Sequence, residues 1–297
     1  VIEAIAEKAE AKKKLFAGIA PKMKPGALLA TNTSSIPLEA LREGLPHPER
    51  FVGVHFFNPV TRMELVEIVA HDGASEEALA RARAFCGDID RLPAPAKSAP
   101  GFLVNRALTP YLAEAFAMLD EGVKKETIDR AATGFGMPMG PIELADQVGL
   151  DIALEVAESL KAAVPEPLPE IPAWLRAKVE KGELGRKTGK GLYDYDDSGK
   201  PQKDKDAPAP GAGMADRLIL PMLNACVRLL GEGVVADADT LDGAMIFATG
   251  FAPFRGGPIH YARRRGADDI LAALRELQAA HGERFRPAEG WQRLSEF

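Results

Sequence analysis

Short apolar runs alternate with amphipathic helical patterns over the first part of the chain. Val1–Ile5 is strand-like, and apolar side chains then recur at helical spacing over 7–19, with lysines on the opposite face. Apolar runs bounded by turn residues predict three further strands and a second long helix, at 27–30, 51–57, 63–69 and 75–91. Strands that alternate with helices favour a mostly parallel α/β sheet.

The pattern becomes helical over most of the chain beyond residue 100. Residues 92–100 carry three prolines and are interpreted as a domain boundary. A later segment is rich in Asp, Lys, Pro and Gly without periodicity, which is typical of an exposed linker. The predicted division is an α/β unit, a first helical unit, a linker and a second helical unit, at 1–97, 98–195, 196–213 and 214–297.

The helical part contains an internal duplication. Three short matches recur in order at a constant offset of 111 residues. They pair Asn105-Arg106 with Asp216-Arg217, Pro110 with Pro221, and Glu121-Gly122 with Glu232-Gly233. Each copy then continues into a turn rich in Gly and Pro, so two related helical units are expected to follow one α/β unit.

Composition narrows the class of protein. The net charge is -6, with acidic and basic residues mixed along the chain, which argues against nucleic acid as the main partner. Cys86 and Cys226 are the only cysteines, so a disulfide framework and a clustered thiolate metal site are both excluded. The longest apolar stretch, 218–230, is interrupted by polar residues and is not expected to cross a bilayer.

His55 and Glu67 are the most informative polar residues in the predicted strands. If 51–57 and 63–69 pair as a hairpin centred on residue 61, these two side chains lie opposite one another. A carboxylate on an apolar face is costly unless it is paired, and an imidazole is a natural partner. The pair suits a general base with its orienting carboxylate, and it equally suits a structural hydrogen bond.

Three other segments carry candidate chemistry. Thr31–Ser35 follows a buried strand, where open α/β sheets bind ligands, although Ser35 is better interpreted as a cap for a short helix at 37–42. Asn105 begins a long helix and suits either a cap or a cleft. Gly185–Gly191 lacks the ending of a phosphate loop and is interpreted as a basic surface turn.

Together these segments resemble the 3-hydroxyacyl-CoA dehydrogenase family across nearly the whole chain. The likeness is strongest to the dehydrogenase portion of the multifunctional fatty-acid β-oxidation α-subunit. Five motifs occur in the family's order, at Thr31–Ser35, His55–Pro59, Leu65–Glu67, Pro100–Arg106 and Gly136–Pro141. The resemblance implies a partial Rossmann-like NAD-binding domain over 1–97, followed by two duplicated helical C-terminal domains.

The resemblance also implies a reaction and its catalytic residues. L-3-hydroxyacyl-CoA would be oxidised to 3-ketoacyl-CoA, with His55 taking the proton of the 3-hydroxyl and Glu67 orienting it. Ser34 and Asn105 would bind the reacting oxygens of the substrate.

The cofactor implied by the resemblance is NAD. Glu7 and Lys12 would touch its ribose–nicotinamide end, Asn58 would lie near the cofactor, and Ser34 would also be a cofactor-binding residue. The first strand and the Gly-rich turn of the family would precede Val1, and no Gly-x-Gly-x-x-Gly occurs in the sequence. The chain on its own is therefore expected to bind NAD weakly or not at all.

Partners and alternatives follow from the same resemblance. An acyl-CoA substrate, a homodimer or a complex with a thiolase subunit, and a bacterial cytoplasm are expected. A short-chain 3-hydroxybutyryl-CoA dehydrogenase of another pathway is the alternative enzyme. A non-catalytic helical assembly module is the alternative from another class, and it predicts damage at His55 or Glu67, both of which are intact.

Overall fold

A five-stranded sheet is built by the amino-terminal part of the chain. The computed structural model describes residues 1–164 and 167–297. The strands lie side by side in chain order: β1 (Ile2–Glu3), β2 (Leu29–Thr31), β3 (Phe51–Phe56), β4 (Leu65–Ala70) and β5 (Leu92–Lys97). Neighbouring strands are parallel except β3 and β4, which are antiparallel. The expected mostly parallel sheet is confirmed.

Helices cover both faces of this sheet: α1 (Ala9–Ile19), α2 (Leu38–Arg42) and α3 (Glu76–Asp88). Successive strand side chains point to opposite faces, so Val52 and Ile68 pack with α3 while Phe51 and Val69 pack with residues of α1 and α2. The predicted start of the long helix is confirmed, since the hydroxyl of Ser75 accepts from the amide of Ala78.

β5 is a strand that the sequence analysis did not predict, within the segment 92–100 that it interpreted as a domain boundary. The amide of Leu92 donates to the carbonyl of Glu64, so even-numbered amides face β4. Pro93 and Pro95 occupy the alternate positions, where a missing N–H removes no bond to β4. Proline is tolerated in such an edge strand, and the proline count alone was therefore a misleading signal.

The rest of the chain is mostly helical. It contains α4 (Val104–Asp120), α5 (Lys125–Phe135), α6 (Pro141–Val148), α7 (Leu150–Ala163), α8 (Ala173–Glu180), α9 (Met214–Gly231), α10 (Ala238–Thr249), α11 (Pro258–Arg265) and α12 (Ala267–His281). The run α4–α7 and the run α9–α12 have matching order and similar lengths, and the first helix of each contains a proline, Pro110 or Pro221. This repetition is the one that the sequence matches predict.

The chain divides into two units. One contains Val1–Asn105 and Leu229–Thr249, and the other contains Arg106–Arg228 and Gly250–Phe297. Within the first unit, the amide of Lys97 donates to the carbonyl of Val234, which ties the end of β5 to the second stretch of that unit. The predicted division at 97, 195 and 213 stays a prediction.

Two buried carboxylates of the second unit fix the segment after the basic turn. Arg186–Thr188 forms an exposed single turn of 3₁₀ helix, in agreement with the predicted surface turn. Asp146 of α6 accepts from the amides of Leu192 and Tyr193, and Asp129 of α5 accepts from the hydroxyl of Tyr193. These bonds hold the segment against α5 and α6.

The predicted linker at 196–213 is mostly exposed but is bonded to α5. Ala207 is buried, and the carbonyl oxygen of Pro208 accepts from Thr127 and Arg130 of α5.

Within the described residues, no helix combines the length and apolar character needed to cross a membrane. The same residues contain no cluster of His, Cys, Asp and Glu suited to a metal ion.

Candidate active site

The predicted pairing of His55 with Glu67 is confirmed by the strand register. The two residues are direct partners in the β3–β4 ladder, and His55 Nδ1 lies 2.6 Å from Glu67 Oε2. Both side chains are buried, with Glu67 fully shielded from solvent. An ionised carboxylate only accepts, so opposite an ionised Glu67 the imidazole donates its Nδ1–H, and in the neutral ring Nε2 is then the acceptor atom.

The second oxygen of Glu67 binds backbone amides. Oε1 accepts from Leu103 at 3.0 Å and from Val104 at 2.9 Å, where α4 begins. A buried charge of this kind is stable only when its lone pairs are satisfied, and here both oxygens are bonded. The sequence predicted His55 as the partner of Glu67, but it gave no sign that the other oxygen of Glu67 accepts from two backbone amides.

Aromatic rings enclose His55. The ring of Phe57 lies 4.7 Å from the imidazole, centroid to centroid, and the ring of Phe102 lies 5.8 Å away in an edge-to-face arrangement. These contacts leave the ring little rotational freedom, which suits a group that has to present one nitrogen in a fixed direction.

Glu7 holds the turn that follows β2. Its Oε1 accepts from the Thr33 hydroxyl at 2.5 Å, the Ser34 amide at 2.7 Å and the Ser35 amide at 3.2 Å. Its Oε2 lies 3.2 Å from Lys12 Nζ, so the carboxylate charge is compensated. These contacts span 26 to 28 residues of sequence, and no local pattern indicated them.

Lys12 is buried in an acidic pocket. Its ammonium lies 2.7 Å from Glu3 Oε1, and the other oxygen of Glu3 accepts from the hydroxyl of Thr31. With only 1% of its side chain exposed, Lys12 ties α1 to the end of β1.

Asn105 joins α4 to the turn after β2. It lies in the first turn of α4, one residue after its start, and its Nδ2 donates to the carbonyl of Ser34 at 3.1 Å.

The interpretation of Ser35 as the cap of α2 is wrong. Pro37 occupies that position, and the amide of Leu38 instead donates to the hydroxyl of Ser98 at 3.0 Å.

The polar groups gather at the carboxyl ends of the parallel strands, where open α/β sheets bind nucleotides. Asn32 Oδ1 accepts from the amide of Phe56 at 2.9 Å, which joins the turn after β2 to the end of β3. Asn58 follows β3 and is exposed, and Ser34 is partly exposed. Polar atoms at this edge fit the ribose and carboxamide of a nicotinamide nucleotide.

Comparison with known families identifies the family to which this chain belongs. The NAD-binding domain of 3-hydroxyacyl-CoA dehydrogenase matches residues 1–99, and the C-terminal domain of the same enzymes matches residues 101–195. The chain belongs to the 3-hydroxyacyl-CoA dehydrogenase family. Its resemblance in sequence and its sheet-edge site agree with that assignment.

Curated relatives of this chain include fatty acid oxidation complex α-subunits. The chain is 35% identical over 301 residues to the subunit from Shewanella baltica, covering 97% of this chain and 42% of the relative. It is 36% identical over 300 residues to the subunit from Vibrio cholerae, covering 98% of this chain and 42% of the relative. The chain thus spans less than half the length of these relatives.

Solved structures of dehydrogenases share the fold. The 3-hydroxybutyryl-CoA dehydrogenase of Escherichia coli superposes with a TM-score of 0.81 at 27% identity, covering 99% of this chain and 80% of that one. The dehydrogenase part of multifunctional enzyme 1 from C. elegans gives 0.68 at 27% identity, covering 99% and 70%. The (S)-3-hydroxybutyryl-CoA dehydrogenase of Ralstonia eutropha gives 0.61 at 38% identity, covering 66% and 70%.

Proposed function

We propose that the full-length protein oxidises L-3-hydroxyacyl-CoA to 3-ketoacyl-CoA with NAD in fatty-acid β-oxidation, and that this chain is its dehydrogenase portion. The observation that carries the proposal is the buried pair of His55 and Glu67 at the carboxyl edge of the sheet. Glu67 also accepts from the amide of Val104, the residue directly before Asn105, and Asn105 donates to the carbonyl of Ser34. A 3-hydroxyl is a weak acid, and its oxidation needs such a base.

His55 is the general base in this proposal. Glu67 keeps the proton of the ring on Nδ1, so Nε2 receives the proton of the 3-hydroxyl as the carbonyl forms. The carboxylate then stabilises the imidazolium in a site shielded from water. NAD, when bound, accepts the hydride that leaves C3 of the substrate.

Ser34 and Asn105 bind the substrate oxygens, and their placement supports this role. The amide of Asn105 and the backbone of Ser34 are joined by a direct hydrogen bond, so the two groups are held together. Amide and hydroxyl donors aimed at an oxygen that gains negative charge favour the transition state of either direction of the reaction.

Glu7, Lys12, Ser34 and Asn58 form the cofactor side of the proposed site. Ser34 is partly exposed and Asn58 is exposed, so their polar groups are available to the bound cofactor. Glu7 is paired with Lys12 and accepts from the turn after β2, so the two residues hold the surface on which the cofactor would rest.

The wider assignments are proposals of the same kind. We divide the chain into an NAD-binding part (1–97), a first helical domain (98–195), a linker (196–213) and a second helical domain (214–297). We place the full-length protein in a bacterial cytoplasm, as a homodimer or in a complex with a thiolase subunit. The naming of the bacterial relatives as subunits of fatty acid oxidation complexes supports this placement.

The test is turnover by the full-length protein with a 3-ketoacyl-CoA and NADH. Replacing His55 by Gln removes the base, and we expect kcat to fall by about 100-fold or more with little change in substrate affinity. The matched control is His71→Gln, a buried histidine bonded to Arg42 and the carbonyl of Pro48, which should retain turnover. Undiminished kcat in His55→Gln contradicts the mechanism.

A second candidate is a dehydrogenase restricted to 3-hydroxybutyryl-CoA. It is favoured by the TM-score of 0.81 to the Escherichia coli 3-hydroxybutyryl-CoA dehydrogenase over 99% of this chain. The values of kcat/KM for 3-hydroxybutyryl-CoA and 3-hydroxydecanoyl-CoA separate the two candidates. A strong preference for 3-hydroxybutyryl-CoA supports the second candidate, and comparable values support β-oxidation. A complete lack of turnover by the full-length protein supports a helical assembly module.

A further inference from the structure

The backbone ladder between β2 and β3 ends before β3 does. Its last residue pair is Thr31 with Gly53, and β3 continues to Phe56. Successive amides of a strand point towards opposite neighbours, and the amide of Phe56 points towards the side of β2. In the same register its counterpart would be Ser34, but β2 has already ended at Thr31. The amide of Phe56 therefore lies beyond the reach of the β2 ladder.

The side chain of Asn32 takes the place of the missing ladder residue. Its Oδ1 accepts from the Phe56 amide at 2.9 Å, while its own backbone amide donates to the carbonyl of Glu3 in β1. Asn32 thus bonds to the strands on both sides of β2. Asn32 and Phe56 are both half-buried, so solvent replaces the bond to Oδ1 only in part if the side chain is removed.

This bond joins two parts of the proposed site by a short path. Ser34 lies two residues after Asn32, and His55 directly precedes Phe56. The ring of Phe56 packs against the core on the α3 face of the sheet, so the amide that donates to Asn32 belongs to a well-packed part of β3. The position of the turn is therefore tied to the position of the base.

The other side-chain bonds of the turn lead to different elements. The carboxylate of Glu7, just before α1, accepts from the amide of Ser34, and Asn105 of α4 donates to the carbonyl of Ser34. These bonds fix the turn to the start of α1 and to α4. The bond of Asn32 fixes the turn to β3, the strand that carries His55.

We propose that Asn32 is a positioning residue for the reaction, whose Oδ1 sets the distance between His55 and the turn that carries Ser34. This inference rests on the proposed function. The hydride leaves C3 of the substrate and the proton leaves the oxygen on C3, so cofactor, substrate and base have to be aligned at the same time. A misplacement of about 1 Å can lower a rate by about 100-fold.

Two substitutions at position 32 test the acceptor oxygen. Asn32→Asp keeps an oxygen there and loses the NH₂, whereas Asn32→Leu keeps a similar volume and loses both. In the full-length protein, kcat for the reduction of acetoacetyl-CoA by NADH should fall by about tenfold or more in Asn32→Leu. The dissociation constant of acetoacetyl-CoA should stay within about threefold, because the bond aligns bound groups and contacts none of them. Asn32→Asp should keep kcat within about threefold of the unaltered protein.

The matched control is Ser75→Ala, which separates positioning from stability. The hydroxyl of Ser75 also accepts from a backbone amide, that of Ala78, in the same unit of the chain. Ser75 follows β4, which runs antiparallel to β3 and ends near the start of that strand, away from His55. Ser75→Ala and Asn32→Leu should both lower the urea midpoint, but Ser75→Ala should keep kcat.

Hydrogen exchange of the Phe56 amide reports on the bond itself. Exchange should become about tenfold or more faster in Asn32→Leu and stay slow in Asn32→Asp. Undiminished kcat in Asn32→Leu overturns the proposal, because the bond would then serve stability alone. Equal losses of kcat in the two variants also overturn it, because the NH₂ of Asn32 would then be the functional end.

Asn32→Ser provides a second variant in case Asn32→Leu does not fold. Its hydroxyl is one bond closer to the backbone than Oδ1 and falls short of the Phe56 amide, so the same loss of kcat with unaltered affinity is expected. Undiminished kcat together with faster exchange of the Phe56 amide contradicts the proposal. Turnover by the unaltered protein separates the two claims: without it the proposed function fails and this inference fails with it, whereas with it the variants decide the role of Asn32.

Discussion

At the scale of single residues, close packing makes some positions intolerant of one extra carbon. Gly140 lies directly before α6, and a Cβ added there would come within 2.1 Å of Asp129 Oδ1 and 2.3 Å of its Cα. The second of these atoms belongs to the backbone of α5 and cannot move aside cheaply. The glycine therefore permits the contact between Asp129 and the start of α6.

We predict that Gly140→Ala lowers the free energy of unfolding by about 3 kcal/mol or more, through overpacking. The matched control is Gly134→Ala within α5, where an added Cβ would meet nothing within 4 Å. That change should leave stability unchanged or raise it by about 0.5–1 kcal/mol. Urea denaturation of both variants measures the difference, and equal midpoints contradict the packing argument.

The residue pairs of the site differ in how far sequence could predict them. His55 and Glu67 are joined by a short hairpin, so alternation along two adjacent strands was sufficient to place them together. Glu7 and Ser34 are 27 residues apart, and their contact depends on two parallel strands that only the folded sheet aligns. The left-handed Phe102 has no sequence signal, since bulky residues are rare in that conformation.

At the scale of elements, Asp129 fixes both α6 and the segment that contains Tyr193. It accepts from the amides of Ile142 and Glu143 and from the hydroxyl of Tyr193. Burial raises its pKa to about 6, although the hydrogen bonds from Ile142 and Tyr193 oppose that rise. The group is therefore protonated in the folded state at a pH where the unfolded chain has released the proton.

The sign of the pH effect follows from this difference. Between the ordinary pKa of an aspartate and about 6, the folded state binds more protons than the unfolded state, so this group adds stability as the pH falls. We predict that the unaltered protein gains about 2 kcal/mol relative to Asp129→Asn between pH 6.5 and pH 4.5. Denaturation of both proteins at the two pH values measures the gain. A difference independent of pH refutes the assignment.

The elements themselves were largely predictable, with one informative failure. Periodicity placed α1, α3 and the first four strands within a few residues, because each has a clear apolar face. β5 was missed because Pro93 and Pro95 are poor strand residues in general. They are compatible with this edge, where alternate amides face away from β4. That compatibility depends on the sheet and cannot be read from the segment alone.

At the scale of the whole chain, the sequence predicted one α/β unit followed by two related helical runs. The runs α4–α7 and α9–α12 confirm the duplication. The grouping of 229–249 with the sheet-containing unit was not foreseen, because apolar periodicity shows that a helix has a buried face but not which element covers it. Family membership then connects the fold to dehydrogenase chemistry.

The central claim is that this site removes a hydride from C3 of an L-3-hydroxyacyl-CoA while His55 takes the hydroxyl proton. The most direct measurement uses the full-length protein with NAD and L-3-hydroxybutyryl-CoA deuterated at C3. We predict that the deuterium appears in the nicotinamide ring of NADH and that His55→Gln abolishes the transfer. Loss of the deuterium to water, or equal transfer by His55→Gln, would contradict the account.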